Sequence, residues 1–320
     1  MPVTKIGSRW ASGELEFYRY DTGVNVLKVG TSGIETHLLE SAIAGDTFYV
    51  DVNAGADTND GLSWGTAVKT LAAAIVLSNA SIAAGASGWA ARNVIFFKGD
   101  NDEDHKETLI TLANKCDIVG VGSYDHRAHP MMVGNHVIGA GAYMGCRFIN
   151  MGFKSLAAGG AIMTVPTTTS GLAFIGCTFD GRTATAATYG LVATAVEELI
   201  VDSCRFVGKF SAAAISIGAG SSRMLTIKNN YIDSGAVGIL IDTAMTTADC
   251  GAYIVDNVFN VTTLVINDVA GKTIIANNTG RTAAAKEIAT VMVFGTGMAM
   301  NNTFGNSAGW GVYPAVAAIT

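Results

Sequence analysis

One short phrase recurs down the second half of the chain, and it limits the fold more than anything else in the sequence. The copies are Tyr143-Met-Gly-Cys146-Arg-Phe148, Phe174-Ile-Gly-Cys177-Thr-Phe179, Val201-Asp-Ser-Cys204-Arg-Phe206, Ile227-Lys-Asn-Asn230-Tyr-Ile232, Val255-Asp-Asn257-Val-Phe259, Ile275-Ala-Asn-Asn278-Thr-Gly280 and Met300-Asn-Asn302-Thr-Phe304. Read this way, the Cys/Asn position advances by 31, 27, 26, 27, 21 and 24 residues. Loose spacing in the twenties marks a solenoid whose coils carry insertions. Parallel strands stacked coil on coil bury alternate side chains, so equivalent residues fall above one another. The phrase therefore predicts an internal ladder, Cys146, Cys177, Cys204, Asn230, Asn257, Asn278 and Asn302, in which a thiol filler gives way to an amide. Stacked amides can bond along the axis, while buried thiols act as small apolar fillers. Coils about 4.8 Å apart also lie within disulfide range.

Composition agrees with many strands and tight turns. Of 320 residues only 14% are charged and 38 are Gly, against a usual charged share of roughly 25%. A formal charge of −6 and the lack of any basic run exclude an electrostatic nucleic-acid binder. The first ten residues lack the apolar core of a secretory signal. The most apolar window, residues 71–86, is interrupted by Ser78, Asn79 and Ser81 and is too short and polar for a bilayer. No membrane partner is expected, and the chain reads as one made in a host cytoplasm.

Residues 1–44 read as a separate arm. Glu14 to Tyr20 and Val24 to Val29 alternate about an Asp-Thr-Gly turn, predicting a β-hairpin. A lone hairpin is marginal in water, so its aromatic residues Trp10, Phe17, Tyr18 and Tyr20 are candidates for docking on a partner or on the first coil. Next, Thr47 to Val52 predicts a strand, Asn53 to Gly61 a loop, and Val68, Leu71, Ala72 and Ile75 one stripe of a helix placed to cap the first coil. Residues 45–320 are then one solenoid.

The run Phe48-Tyr-Val-Asp-Val-Asn-Ala-Gly-Ala-Asp-Thr-Asn-Asp-Gly-Leu-Ser-Trp64, followed by Lys69-Thr-Leu-Ala-Ala-Ala-Ile75, resembles the opening of right-handed parallel β-helix proteins of the pectate-lyase-like superfamily. The resemblance implies an all-β, right-handed, single-stranded parallel β-helix with an N-terminal capping helix. It leaves activity open, because this architecture hosts lyases, hydrolases, adhesins and inert virion parts. The start, Gly7-Ser-Arg-Trp10 with Glu14-Leu-Glu-Phe17, resembles short N-terminal modules of bacteriophage structural proteins.

Catalysis on such a fold needs acids and bases gathered on one outer face. Asp180 and Asp233 share a slot two repeats apart, about 10 Å, too far for retaining glycosidase chemistry and at the edge for inverting. Arg147, Arg205 and Lys228 show no matching acid column. Asp57, Asn59 and Asp60 read as a structural turn, Asp100 to His105 as a solvated loop, and His126 with His129 as a polar loop lacking a third metal ligand. Of the sequons at Asn260, Asn277 and Asn301, the last two directly neighbour the ladder, where a glycan is not expected to fit. These readings predict no catalytic residue, metal or cofactor. They point to a structural virion protein of a tailed bacteriophage, of head-decoration or fibre type. Its arm would dock on the capsid or on neighbouring subunits of a homo-oligomer, with a trimer implied by the resemblance. A tailspike-like polysaccharide depolymerase or lyase acting on host surface polysaccharide, and a carbohydrate-binding adhesin, are the alternatives.

Overall fold

The computed structural model describes residues 6–11, 14–19, 25–30, 33–36, 44–84, 91–99, 105–122, 130–156, 159–182, 187–218, 222–241, 252–268, 273–282, 292–293, 298–306 and 309–313. In the arm, β1 (Ile6–Ala11), β2 (Glu14–Arg19), β3 (Asn25–Gly30) and β4 (Gly33–Thr36) form an antiparallel meander in that order. The expected hairpin is its middle pair, with Leu15 opposite Val29 and a register shift at Phe17/Tyr18. Trp10 lies in β1, Phe17 and Tyr18 lie in β2, and Tyr20 falls outside the described residues.

The rest is a parallel β-solenoid built on three sheets. Sheet I has ten strands, running from β5 (Ala44–Asp51) and β6 (Arg92–Lys98) to Met298–Met300. Sheet II also has ten, from His105–Lys106 to Gly309–Tyr313, and sheet III has seven, from His136–Val137 to Met292–Val293. All pairings within the three are parallel except the last in sheet II, where Gly309–Tyr313 folds back antiparallel on Asn302–Asn306. Strands of two to eight residues suffice because each is buried on its inner side and hydrogen-bonded to the coils above and below.

Rings fill the first coils. Phe148 stacks on Phe174 with centroids 5.4 Å apart, Phe179 stacks on Phe206 at 4.6 Å, and Phe153 stands edge-on to Phe148. Along sheet I the inward column then narrows to Val201, Ile227, Ile254, Ile275 and Ala299. Gly280 interrupts the aromatic column of sheet II because a Cβ there would lie 2.6 Å from Cβ of Phe259.

The capping helix is real but sits later than its stripe suggested. α1 spans Leu71–Ala84, buries Leu71, Ala74, Ile75 and Ser78, and leaves Val68 in a bridge to Val50. Two carboxylates hold its start. Asp57 accepts from the Lys69 and Thr70 N–H groups at 2.9 and 2.8 Å, and Glu107 takes the Leu71 and Ala72 N–H groups at 3.0 and 2.7 Å. Negative charge there satisfies free donors and complements the helix dipole. The polar residues that interrupt the apolar window dock the helix on the coils. The Ser78 hydroxyl and carbonyl face the Asn93 amide at 3.0 Å, Asn79 bonds the Leu112 carbonyl and Asn114 N–H, and Ser81 bonds Asp46.

Candidate functional site

The corner between sheets I and II is built from two residue columns. In the first, Asn150, Gly176, Ser203, Asn229, Asp256, Asn277 and Asn301 all have φ between 55° and 60°. That left-handed turn favours Gly and Asx, which explains the small polar residue of the phrase. In the second column, the residue after each turn points inward.

Register places Cys177, Cys204, Asn230, Asn257, Asn278 and Asn302 one above another. Each Asn Oδ1 accepts the backbone N–H of the rung before it, Cys204, Asn230, Asn257 and Asn278 donating at 2.8, 3.0, 3.0 and 3.0 Å. Where the donor is itself Asn, its Nδ2 also reaches the next Oδ1, at 2.9 Å. The second Nδ2 proton goes to a carbonyl of the preceding coil, that of Val201, Ile227, Ile254 or Ile275. At Asn257 and Asn278 two donors and two acceptor sites are thus filled, so their burial costs little. The thiols copy the pattern with weaker groups. Cys177 N–H points at Cys204 Sγ at 3.4 Å, and the Cys177 and Cys204 thiols donate to the Phe148 and Phe174 carbonyls at 3.3 Å.

Cys146 does not belong to this column. It stacks on Cys116, which stacks on Asn93, at the corner where the chain enters sheet I. The residue below Cys177 is Met151, which precedes it by 26 residues, so the outlying interval of 31 was a slip between two corners. Lys115, Gly145, Gly171, Glu198 and Met224 supply the positive φ at this other corner, which is why Gly145-Cys146 imitates the phrase. Cys116 and Asn93 lie ahead of the stretch in which the phrase recurs, and no Gly or Asx precedes either of them. All four described thiols are free and buried. Burial pushes Cys116 up to about 12 and raises Cys146 and Cys204 well above the usual thiol value, so they are poor nucleophiles.

On the outer faces Asp117, Asp180, Asp202 and Asp233 each have a partner, and Arg147 and Lys228 each meet one acid of the coil before, not a column of acids. Asp117 is gripped by Arg147, with contacts of 2.6 Å to each oxygen, and by Arg92. Lys228 meets Asp202 at 3.2 Å, and Arg205 lies over the ring of Tyr231. Asp180 is clasped by Arg182, and Asp233 accepts from Asn260. Burial alone would raise Asp117, Asp180 and Asp202, but hydrogen bonds from Arg147 and Arg92, from Arg182, and from Asn229, Ser203 and Lys228 hold each below the usual carboxylate range. A glycosidase general acid needs the opposite shift. Among the described residues no group of three or more His, Cys, Asp or Glu could hold a metal ion. Asp57 and Asp60 serve the turn and helix start, while Asp100 to Asp104 and His126 and His129 lie outside the described residues. Asn260, Asn277 and Asn301 are exposed, Asn277 and Asn301 included although they adjoin the buried ladder.

One buried base stands near the helix start. His136 Nδ1 accepts the Leu109 N–H at 3.0 Å, which puts its proton on Nε2, a buried atom with no hydrogen-bond partner among the described residues. Burial drives its pKa down to about 4, against the opposing pull of Glu107 and the Met132 carbonyl.

No helix among the described residues is long and apolar enough to cross a membrane. Comparison with family models, with curated proteins and with solved structures found no match to this chain.

Proposed function

We propose that this chain is a non-enzymatic structural rod, a virion protein of a tailed bacteriophage of the head-decoration or fibre kind, whose arm docks on capsid or on neighbouring subunits. The observation that carries the non-enzymatic part is the commitment of three outer-face acids. Asp117, Asp180 and Asp202 are each locked to a cation and held ionised. The resemblance of the entry run to the pectate-lyase-like superfamily, and of the start to phage structural modules, supports the virion part. The arm register supports docking. It sets Trp10, Leu15, Val29 and Ile34 in one row and Arg9, Glu16, Lys28 and Glu35 in the next.

Mass spectrometry of purified virions, with a binding assay of full-length and 1–44-deleted protein on capsids, tests the proposal. Presence in virions and arm-dependent binding are expected. Absence from virions together with no capsid binding would end it, and release of reducing ends or unsaturated products from a polysaccharide panel would favour a depolymerase.

A further inference from the structure

The short segment from Glu107 to Leu109 is tied on two sides. On one side the Glu107 carboxylate takes the Leu71 and Ala72 N–H groups and so fixes the first turn of α1. On the other side the Leu109 N–H donates to His136 Nδ1 at 3.0 Å. His136 lies in the first strand of sheet III, fully buried and edge-on to the Phe153 ring at 5.5 Å. Its Nε2 is buried with no hydrogen-bond partner among the described residues. Gly134 closes the space beside the ring. A Cβ there would lie 2.7 Å from the Glu107 carbonyl oxygen and 3.2 Å from His136 Cε1, so the ring and the Glu107 backbone are both packed against it.

A second proton on His136 does not fit this arrangement. An imidazolium donates from both nitrogens, so Nδ1 would face the Leu109 N–H donor to donor. Nε2–H stays unpaired, and a buried charge without a hydrogen-bond partner is costly. The charge that acts on the ring is Glu107, whose Oε2 also meets His105 Nε2 at 2.8 Å. A charged His105 would only tighten its hold on Glu107, and Asp57 and Asp46 bind α1 away from the ring. Charging His136 is therefore what loosens the segment. Leu109 loses its acceptor, and Glu107, two residues before it, is drawn toward the imidazolium and away from the helix donors. α1 buries Leu71, Ala74 and Ile75 over the start of sheet I, so freeing its first turn uncovers that end of the core.

We infer that His136 and Glu107 form an acid-operated latch that releases α1 from the end of the solenoid while the later coils stay folded. With the latch open the ring takes up a proton near pH 6.5, whereas burial keeps it neutral to about pH 4 when closed. The open form therefore gains as pH falls through that window, by about 20-fold from about pH 7 to about pH 5. Residue-resolved hydrogen exchange of the full chain at those two pH values, corrected for intrinsic exchange rates, tests the latch. Ala72 N–H, which Glu107 holds, is expected to lose protection about 20-fold. At the lower pH it should also be at least about tenfold less protected than Ile227 N–H in the later coils. In His136→Asn, shown to be folded by far-ultraviolet circular dichroism, the Ala72 change should shrink to less than about threefold. Should that variant not fold, the two wild-type comparisons still decide. Unchanged protection of Ala72 in the wild type overturns the latch. Equal protection of Ala72 and Ile227 at the lower pH means that the whole solenoid opens together, which overturns it as well. A full loss persisting in folded His136→Asn removes His136 from it.

Discussion

The two halves of the corner column do the same task with different chemistry. From Met151 to Cys204 the corner lies beside stacked rings, Phe148 on Phe174 and Phe179 on Phe206, and its rungs are a thioether and two thiols. From Asn230 to Asn302 the inward column of sheet I is Ile227, Ile254, Ile275 and Ala299, and every rung is an amide. Where ring packing supplies cohesion, a rung needs only to fill space and weakly cap one N–H. Where the core is leaner, directed hydrogen bonds along the axis join successive coils.

Removing an amide should therefore cost most. Asn257→Leu strips the acceptor from Asn230 N–H and Nδ2, the donor from the Ile227 carbonyl, and a donor from Asn278 Oδ1. A loss of about 4 kcal/mol is expected from several buried groups left unpaired, measured by denaturant unfolding. A cost below about 1 kcal/mol would erase the distinction between the halves.

Acid should act on the ring-filled end through His136, at a pH where the amide rungs do not titrate. His136 is neutral when folded down to about pH 4 but binds a proton near pH 6.5 when unfolded. Below pH 6.5 the unfolded chain takes up that proton first, so stability present at neutral pH is lost as pH falls from about 6.5 to about 4, by about 3 kcal/mol in all. Protonation must also break the bond from Leu109 N–H, because an imidazolium accepts nothing. Unfolding followed against pH should show this slope in the wild type and lose it in His136→Asn.

Cutting a thiol should be mild. Cys204→Ala removes a weak acceptor from Cys177 N–H and a weak donor from the Phe174 carbonyl, and a loss of about 1 kcal/mol is expected in the same assay. Smaller still is the effect of extending the amide half. In Cys204→Asn the new Nδ2 can reach Asn230 Oδ1 and the Phe174 carbonyl, as in the rungs beyond. Stability should change by less than about 1 kcal/mol, upward if at all. A large loss would show that the thiol half tolerates no amide.

Much of this was legible beforehand because the coil repeat writes itself into sequence. An Asx or Gly that adopts positive φ, an inward rung and an inward aromatic are local choices, so Gly176-Cys177 and Asn277-Asn278 reveal the corner. Cys146 misled because the other corner uses the same local device, and only the register between strands separates the two. Pairings across coils were invisible for the same reason. Glu107 caps a helix 35 and 36 residues upstream, and Asp117 meets Arg147 30 residues downstream. The helix stripe was read three residues early because Val68 is buried as a bridge to Val50 rather than as a helical residue.

The central claim is that buried amides tie successive coils by accepting the backbone N–H of the rung before. Residue-resolved hydrogen exchange of Asn230 N–H, with Ile227 N–H in the same coil as reference, tests it most directly in wild type and Asn257→Leu. The account predicts that Asn230 N–H loses protection by at least about tenfold relative to Ile227. Equal protection of Asn230 N–H in the two proteins would contradict it.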